Sequence, residues 1–115
     1  MVLLLAACSG VDEPPRLPNE GASILIVSPA SSSVHPPDRE IEVVVSVDGI
    51  QLGGEANQHW HIYVDGESWG MIFGEETSHN LFGMLPGEHV VSVYLANAEH
   101  VEYEEGDSIR LVVEE

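Results

Sequence analysis

The chain has no lysine and only three arginines, set against twenty aspartates and glutamates, for a formal net charge of −17 over 115 residues. That balance excludes nucleic acid as a partner, because displacing phosphate counterions takes Lys and Arg. Anionic lipid headgroups and anionic substrates are disfavoured for the same reason, which leaves cations and basic partners. Cys8 is the single cysteine, so no internal disulfide can form and the fold must stand on its apolar core. No apolar run approaches the ~18 residues of a membrane-spanning helix. Also missing are a Gly-rich phosphate loop, a nucleophile elbow and the regular Asp/Asn spacing of a calcium loop. Nothing marks a general base or a substrate pocket either, so the reading is of a protein that is not an enzyme. What is present is an ordinary 43% of hydrophobic residues, which points to one folded domain and not an acidic disordered tail.

The chain divides into three parts. Residues 1–8 read Met-Val-Leu-Leu-Leu-Ala-Ala-Cys, an apolar run ending in small residues, as at the tail of a secretory signal peptide. The run Leu5-Ala6-Ala7-Cys8 resembles the bacterial lipobox, which implies that Cys8 is lipidated and becomes the mature N-terminus. No basic n-region precedes it and the apolar run is short, so either an upstream start codon or a truncated fragment is expected. Residues 9–22 are rich in Pro, Gly and acid, including Pro14-Pro15 and Pro18-Asn19. Proline holds extended geometry and lacks an N–H, so this segment is expected to be a flexible tether lifting a domain off a membrane.

Residues 23–115 alternate with a period of two. Ile41, Val43, Val45 and Val47 share one face, as do Trp60, Ile62 and Val64, then Val91, Val93 and Leu95, then Ile109, Leu111 and Val113. With 23–28, 68–73 and 78–82 these runs predict seven short strands, and no window shows helical spacing. Asp65-Gly66 suits a two-residue type I′ hairpin turn, and Leu85-Pro86-Gly87-Glu88 marks another turn. The expected fold is all-β, an antiparallel sandwich preceded by an extended tether. The segments Trp60-His61-Ile62-Tyr63-Val64-Asp65-Gly66 and Leu85-Pro86-Gly87-Glu88-His89-Val90-Val91-Ser92-Val93 resemble bacterial immunoglobulin-like domains of secreted lipoproteins. The resemblance spans about residues 23–114 and implies the fold without implying a function. A narrower likeness, to small secreted domains pairing a His-x-His strand start with Leu-Ala-Asn-x-x-His, rests on His59-Trp60-His61 and Leu95-Ala96-Asn97-Ala98-Glu99-His100. It supplies a pattern and not a mechanism.

Chemistry is concentrated in the histidines. His59 and His61 alternate with the apolar residues of their strand, so both are expected to project from its outer face with Tyr63. Two imidazoles at positions i and i+2 can converge on one ion. His100 follows the strand expected to lie alongside and is the third candidate ligand. His79 is a fourth, although it shares parity with the apolar Leu81 and so is expected to turn inward. Neutral imidazoles suit Zn²⁺, Cu²⁺ or Ni²⁺; copper(I) is less favoured because no thiolate is available, although Met71 and Met84 could supply thioether sulfur. His89 reads as structural, bonded to backbone near a strand corner, and His35, beside Pro36-Pro37, as a loop residue. Trp69, Met71 and Phe73 read as packing, or as a partner patch if exposed, and the acidic stretch Glu99 to Asp107 as a solvated loop.

The expected function is a lipid-anchored extracytoplasmic domain, in the periplasm or at the cell surface, holding zinc or copper through a surface His cluster. Its partners would be the metal ion and, through the anchor only, the membrane. The alternative is an interaction or adhesion module that presents strand edges or an aromatic patch to a cell-envelope protein without metal. A third reading makes the carboxylate-rich surface a pH-responsive one.

Overall fold

The computed structural model describes residues 15–115; Cys8 and the lipobox lie outside the described residues. Eight strands follow in order: β1 (Ser23–Ser28), β2 (Ser33–His35), β3 (Ile41–Asp48), β4 (His59–Val64), β5 (Glu67–Ile72), β6 (Ser78–Leu81), β7 (Gly87–Ala96) and β8 (Asp107–Val113). They form a three-stranded sheet β1-β3-β6 and a five-stranded sheet β2-β8-β7-β4-β5. All seven strands read from the alternation are present. The eighth, β2, pairs parallel with β8 over three residues, too few for a period of two to register.

The inner faces carry the residues that alternation assigns to them. Ile24, Ile41, Val43, Val45 and Leu81 from one sheet meet Trp60, Ile62, Val64, Val91, Val93, Leu95, Leu111 and Val113 from the other, all buried. Burying each such side chain contributes about 1.5–3 kcal/mol, which is how a single core can hold a fold with no disulfide. Trp60 is wholly buried, and its indole N–H donates to the Glu76 carbonyl at 2.9 Å, so no polar atom is stranded.

Two turns orient the site. Asp65 and Gly66 both have positive φ (53° and 85°), the backbone of a type I′ turn joining β4 to β5. After two pairs of that hairpin the ladder slips: Tyr63 faces Ser68 but Ile62 faces Gly70, leaving Trp69 as the extra residue of a β-bulge. The period-two reading of Trp69, Met71 and Phe73 as one face is therefore interrupted. Trp69 packs on the core, whereas Met71 and Phe73 are 48% and 46% exposed.

The packed unit begins earlier than the composition of 9–22 suggests. Leu17 forms a parallel bridge with Tyr103, and its N–H donates to the Glu102 carbonyl at 3.0 Å. Asn19 donates through its side-chain amide to the Glu105 carbonyl and accepts from the Glu105 N–H. Proline's lack of an N–H does not prevent its neighbours from bonding, so Leu17 and Asn19 tie residues 17–22 to the domain.

His89 is half-buried, as its sequence context indicates. Its Nδ1 donates to Asp65 at 2.7 Å and its Nε2 to the Leu85 carbonyl at 2.6 Å, tying the two turns together. Burial opposes its charge, but the bonds to Asp65 and to the carbonyl outweigh it, and the pKa is raised. The Val90 N–H, then His89, holds Asp65 below its ordinary value. The raised histidine contributes stability that is full below ~6.5 and lost as pH rises through its folded value. The lowered aspartate contributes above ~3.8 and loses its effect as pH falls through its own folded value. Wild type should therefore be more stable than His89→Gln in mildly acid solution, with the gap narrowing as pH rises from 6 to 9. Melting temperatures of both proteins across that range check it; a constant gap contradicts it.

Candidate metal centre

β4 lies inside its sheet, flanked by β7 and the edge strand β5, and its two faces do different work. Trp60, Ile62 and Val64 enter the core; His59, His61 and Tyr63 take the opposite face. That face is the outer one, as the alternation predicts, but the two histidines are not exposed: His59 is 0% and His61 5% accessible. Phe73 stacks on His59 with ring centroids 4.4 Å apart, and the segment after β7 folds back beside both rings.

That segment delivers the third imidazole. The Asn97 side-chain oxygen accepts the N–H groups of Glu99 and Val101, both at 3.0 Å, closing a tight turn. Within it His100 has φ of 67°, a left-handed residue whose N–H donates to the Asn97 carbonyl at 2.9 Å. Opposite His59 on β7 stands Ala96, a small neighbour that leaves room for the returning ring. One ring nitrogen from each of His59, His61 and His100 lies within 4.8 Å of the others, and the group can hold a metal ion.

The second ring nitrogens show which atoms are left to face an ion. His59 Nδ1 donates to the Asn57 carbonyl at 3.1 Å, which leaves Nε2 as the lone-pair nitrogen. His61 Nδ1 donates to Glu102 Oε2 at 2.7 Å, which again frees Nε2. These two Nε2 atoms are 3.0 Å apart, and His59 Nε2 is 3.2 Å from His100 Nδ1. Neutral rings with both Nδ1 atoms protonated bring lone pairs face to face, an arrangement relieved by a shared proton or a cation. Two nitrogens bound at ~2.0–2.1 Å to one tetrahedral ion sit about 3.3–3.4 Å apart, close to both separations. Burial, aided by the neighbouring His61 and His100, lowers the pKa of His59 against the opposing bond to Asn57. That keeps its imidazole neutral, the form that binds metal.

Glu102 is the residue that sequence reasoning missed. It lies within the stretch read as a solvated loop, yet its side chain is only 11% accessible. It accepts from His61, from the Tyr63 hydroxyl and from Arg16 at 3.2 Å. Burial and the Glu102 carboxylate push Tyr63 up to about 12, so its hydroxyl stays a donor. A carboxylate behind a metal-facing imidazole fixes the ring's tautomer and raises its basicity. Arg16, in the segment expected to be a tether, also lies over the Tyr94 ring at 4.6 Å. The available signal was Glu102's place two residues after His100, but an acid among many acids carries no mark of its burial. Glu102→Gln should weaken metal binding by about 10–100-fold, since an amide cannot supply the charge that supports His61. Competition titration of the variant against wild type measures it.

His79 stands apart from this group. It is on β6 in the other sheet, opposite Val43, with its ring directed across the sandwich toward Gly70. Its shared parity with Leu81 turns it inward, as the sequence indicates. Met84 is buried in the core, whereas Met71 lines a cleft of about 460 Å³ together with Arg16, His61, Tyr63, His100 and Glu102.

No protein-family model and no curated protein matches the chain. Solved structures do. The fibronectin(III)-like modules of Clostridium thermocellum CbhA superpose with a TM-score of 0.63 at 16% identity, covering 79% of this chain and 95% of the module. The fold is immunoglobulin-like. The CARDB domain of a Pyrococcus furiosus protein, solved in complex with di-metal ions, gives 0.56 at 14% identity over 80% of this chain and 91% of that one. Superoxide reductase (neelaredoxin) from Ignicoccus hospitalis gives 0.53 at 18% identity, covering 83% and 82%. At such identities the likeness is one of fold, and the metal centre stands on this chain's own geometry.

Proposed function

We propose that this protein is a lipid-anchored, extracytoplasmic immunoglobulin-like domain that binds one transition-metal ion, zinc or copper, through His59, His61 and His100. Its role is that of a metal carrier or reservoir, or of a domain stabilised by its metal, and not that of an enzyme. One observation carries the reading: three imidazole nitrogens from two separate chain segments approach to 3.0 and 3.2 Å, with the far nitrogens of His59 and His61 already bonded elsewhere. That neighbours of the same fold include a domain solved with di-metal ions and a superoxide reductase is consistent with it.

Calorimetric titration of the full chain with Zn²⁺ and Cu²⁺ tests it, with one equivalent expected for at least one ion. Heats no larger than dilution for both ions would overturn the metal reading. Anchoring is a separate test: mass spectrometry of the protein from its native host should find Cys8 acylated, and an unmodified Cys8 on protein released without detergent refutes it. A second reading, a non-metal cell-envelope interaction module, draws on the edge strand β1, where Leu25 and Val27 are 56% and 61% exposed. The titration separates the two.

A further inference from the structure

The bulge in the β4–β5 hairpin decides what faces the histidines. Counting back from the Asp65-Gly66 turn, Val64 pairs with Glu67 and Tyr63 with Ser68. An unbroken ladder would then set Ile62 against Trp69, His61 against Gly70 and Trp60 against Met71. In that register Met71 would point into the core behind Trp60. The extra residue, Trp69, shifts the rest of β5 by one position, and a shift of one reverses the face of every side chain beyond it. His61 consequently stands directly opposite Met71 and Ile62 opposite Gly70. Directly opposed residues hold their Cβ atoms about 4.5–5.5 Å apart on the same face. Met71 is 48% exposed and lines the same cleft as His61 and His100, while Phe73, next on that face, covers His59. Besides setting Ile72 into the core opposite Trp60, the bulge thus leaves Met71 half-exposed on the histidine face, where its side chain gains little from burial.

Resting on the metal reading above, we infer that the Met71 thioether is the fourth ligand of the site and that its cargo is copper(I). The chemistry follows from ligand softness. A thioether adds little for Zn²⁺, which three imidazoles and a water satisfy, but it is a favoured ligand for copper(I). Three neutral imidazoles and a neutral sulfur leave a bound monovalent ion with its single charge, offset by Glu102 behind His61.

The experiment is a competition titration of the full chain under anaerobic conditions. Copper(I) is supplied as its bicinchoninate complex, zinc is measured against a chromophoric chelator, and Cys8 is alkylated so that no thiol competes. Wild type and Met71→Leu are compared; leucine conserves volume at a half-exposed site, so the fold is retained. Copper(I) affinity should fall by about tenfold or more in the variant while zinc affinity changes less than about twofold. X-ray absorption of the copper-loaded wild type should show a sulfur neighbour that the variant lacks. Equal copper(I) affinity in the two proteins, or equal losses for both metals, overturns the inference while leaving the histidine site standing. Absence of binding by wild type for every metal tried would instead remove the reading on which it rests, and the inference with it.

Discussion

Replacing His59 and His61 together by alanine should abolish specific metal binding, a loss of more than about 1,000-fold in affinity. Removing one supporting partner of a metal ligand already costs about 10–100-fold, and this change removes two of three imidazoles outright. His100 would remain alone on its turn, an exposed ring no different from any surface histidine. The same substitution should leave the apolar core intact, since both side chains lie on the outer face of β4. Trimming two buried rings gives up packing on Phe73 and the bond to Glu102, however, and so lowers metal-free stability. It also removes two nitrogens held 3.0 Å apart, a contact that does not favour the metal-free protein when both rings are neutral. Thermal unfolding makes the contrast sharp. With an ion at about 100 times its Kd, wild type gains about 2.7 kcal/mol, and a domain of about 100 residues then melts roughly 10–20 °C higher. The double variant should show no such gain: its own melting temperature should be the same with and without metal. A metal-induced rise that persists in the variant would place the ion elsewhere.

Why the fold could be read from the sequence and the centre only in part follows from the range of the signals. Alternation of Ile41, Val43, Val45 and of Trp60, Ile62, Val64 is local, and burial on one face of a strand imposes it directly. The Asp65-Gly66 turn is equally local, because positive φ at both positions restricts the residues that fit. His59 and His61 share a face by the same geometry. His100 is different: its approach depends on Asn97 closing a turn and on Ala96 leaving space opposite His59, neither of which is visible as a periodicity. Glu102 was hidden by composition, since one acid that turns inward looks like its solvated neighbours Glu104 and Glu105. Arg16 was hidden by position, in a Pro-rich segment whose packing depends on a bridge to Tyr103 from the far end of the chain. The slip at Trp69 was invisible to period-two reading because a bulge leaves the alternation on either side intact.

These long-range pieces share one property: each is assembled by the sandwich. The returning segment that holds His100 and Glu102 lies between β7 and β8, and it is secured by Tyr103, whose N–H donates to the Leu95 carbonyl and whose hydroxyl donates to Gln58. The ligands on β4 are in turn set by the burial of the residues between them. A defect in the core should therefore abolish metal binding indirectly, whereas a defect in the site should leave the core intact, and that asymmetry separates structural from ligating residues.

Trp60→Ala is the substitution that should show it most strongly. Trp60 is the largest fully buried side chain among the described residues, lies between the two histidines, pairs with Leu95 and Ile72, and bonds the Glu76 carbonyl in the β5–β6 connection. Truncating a buried Trp costs about 3–5 kcal/mol, because the removed surface is no longer buried and the cavity left behind collapses only partly. A domain of this size has about 5–15 kcal/mol in total, so the variant should melt roughly 15–30 °C lower with or without metal, or fail to fold. Trp60→Phe keeps most of the apolar volume and gives up only the indole N–H, so it should retain the fold and bind metal nearly as wild type does. Calorimetric melting of the two variants beside the His59/His61 double variant tests the division directly. If Trp60→Ala melted like wild type, or if Trp60→Phe folded normally but lost the metal, the inner face of β4 would not be the platform on which the two histidines stand.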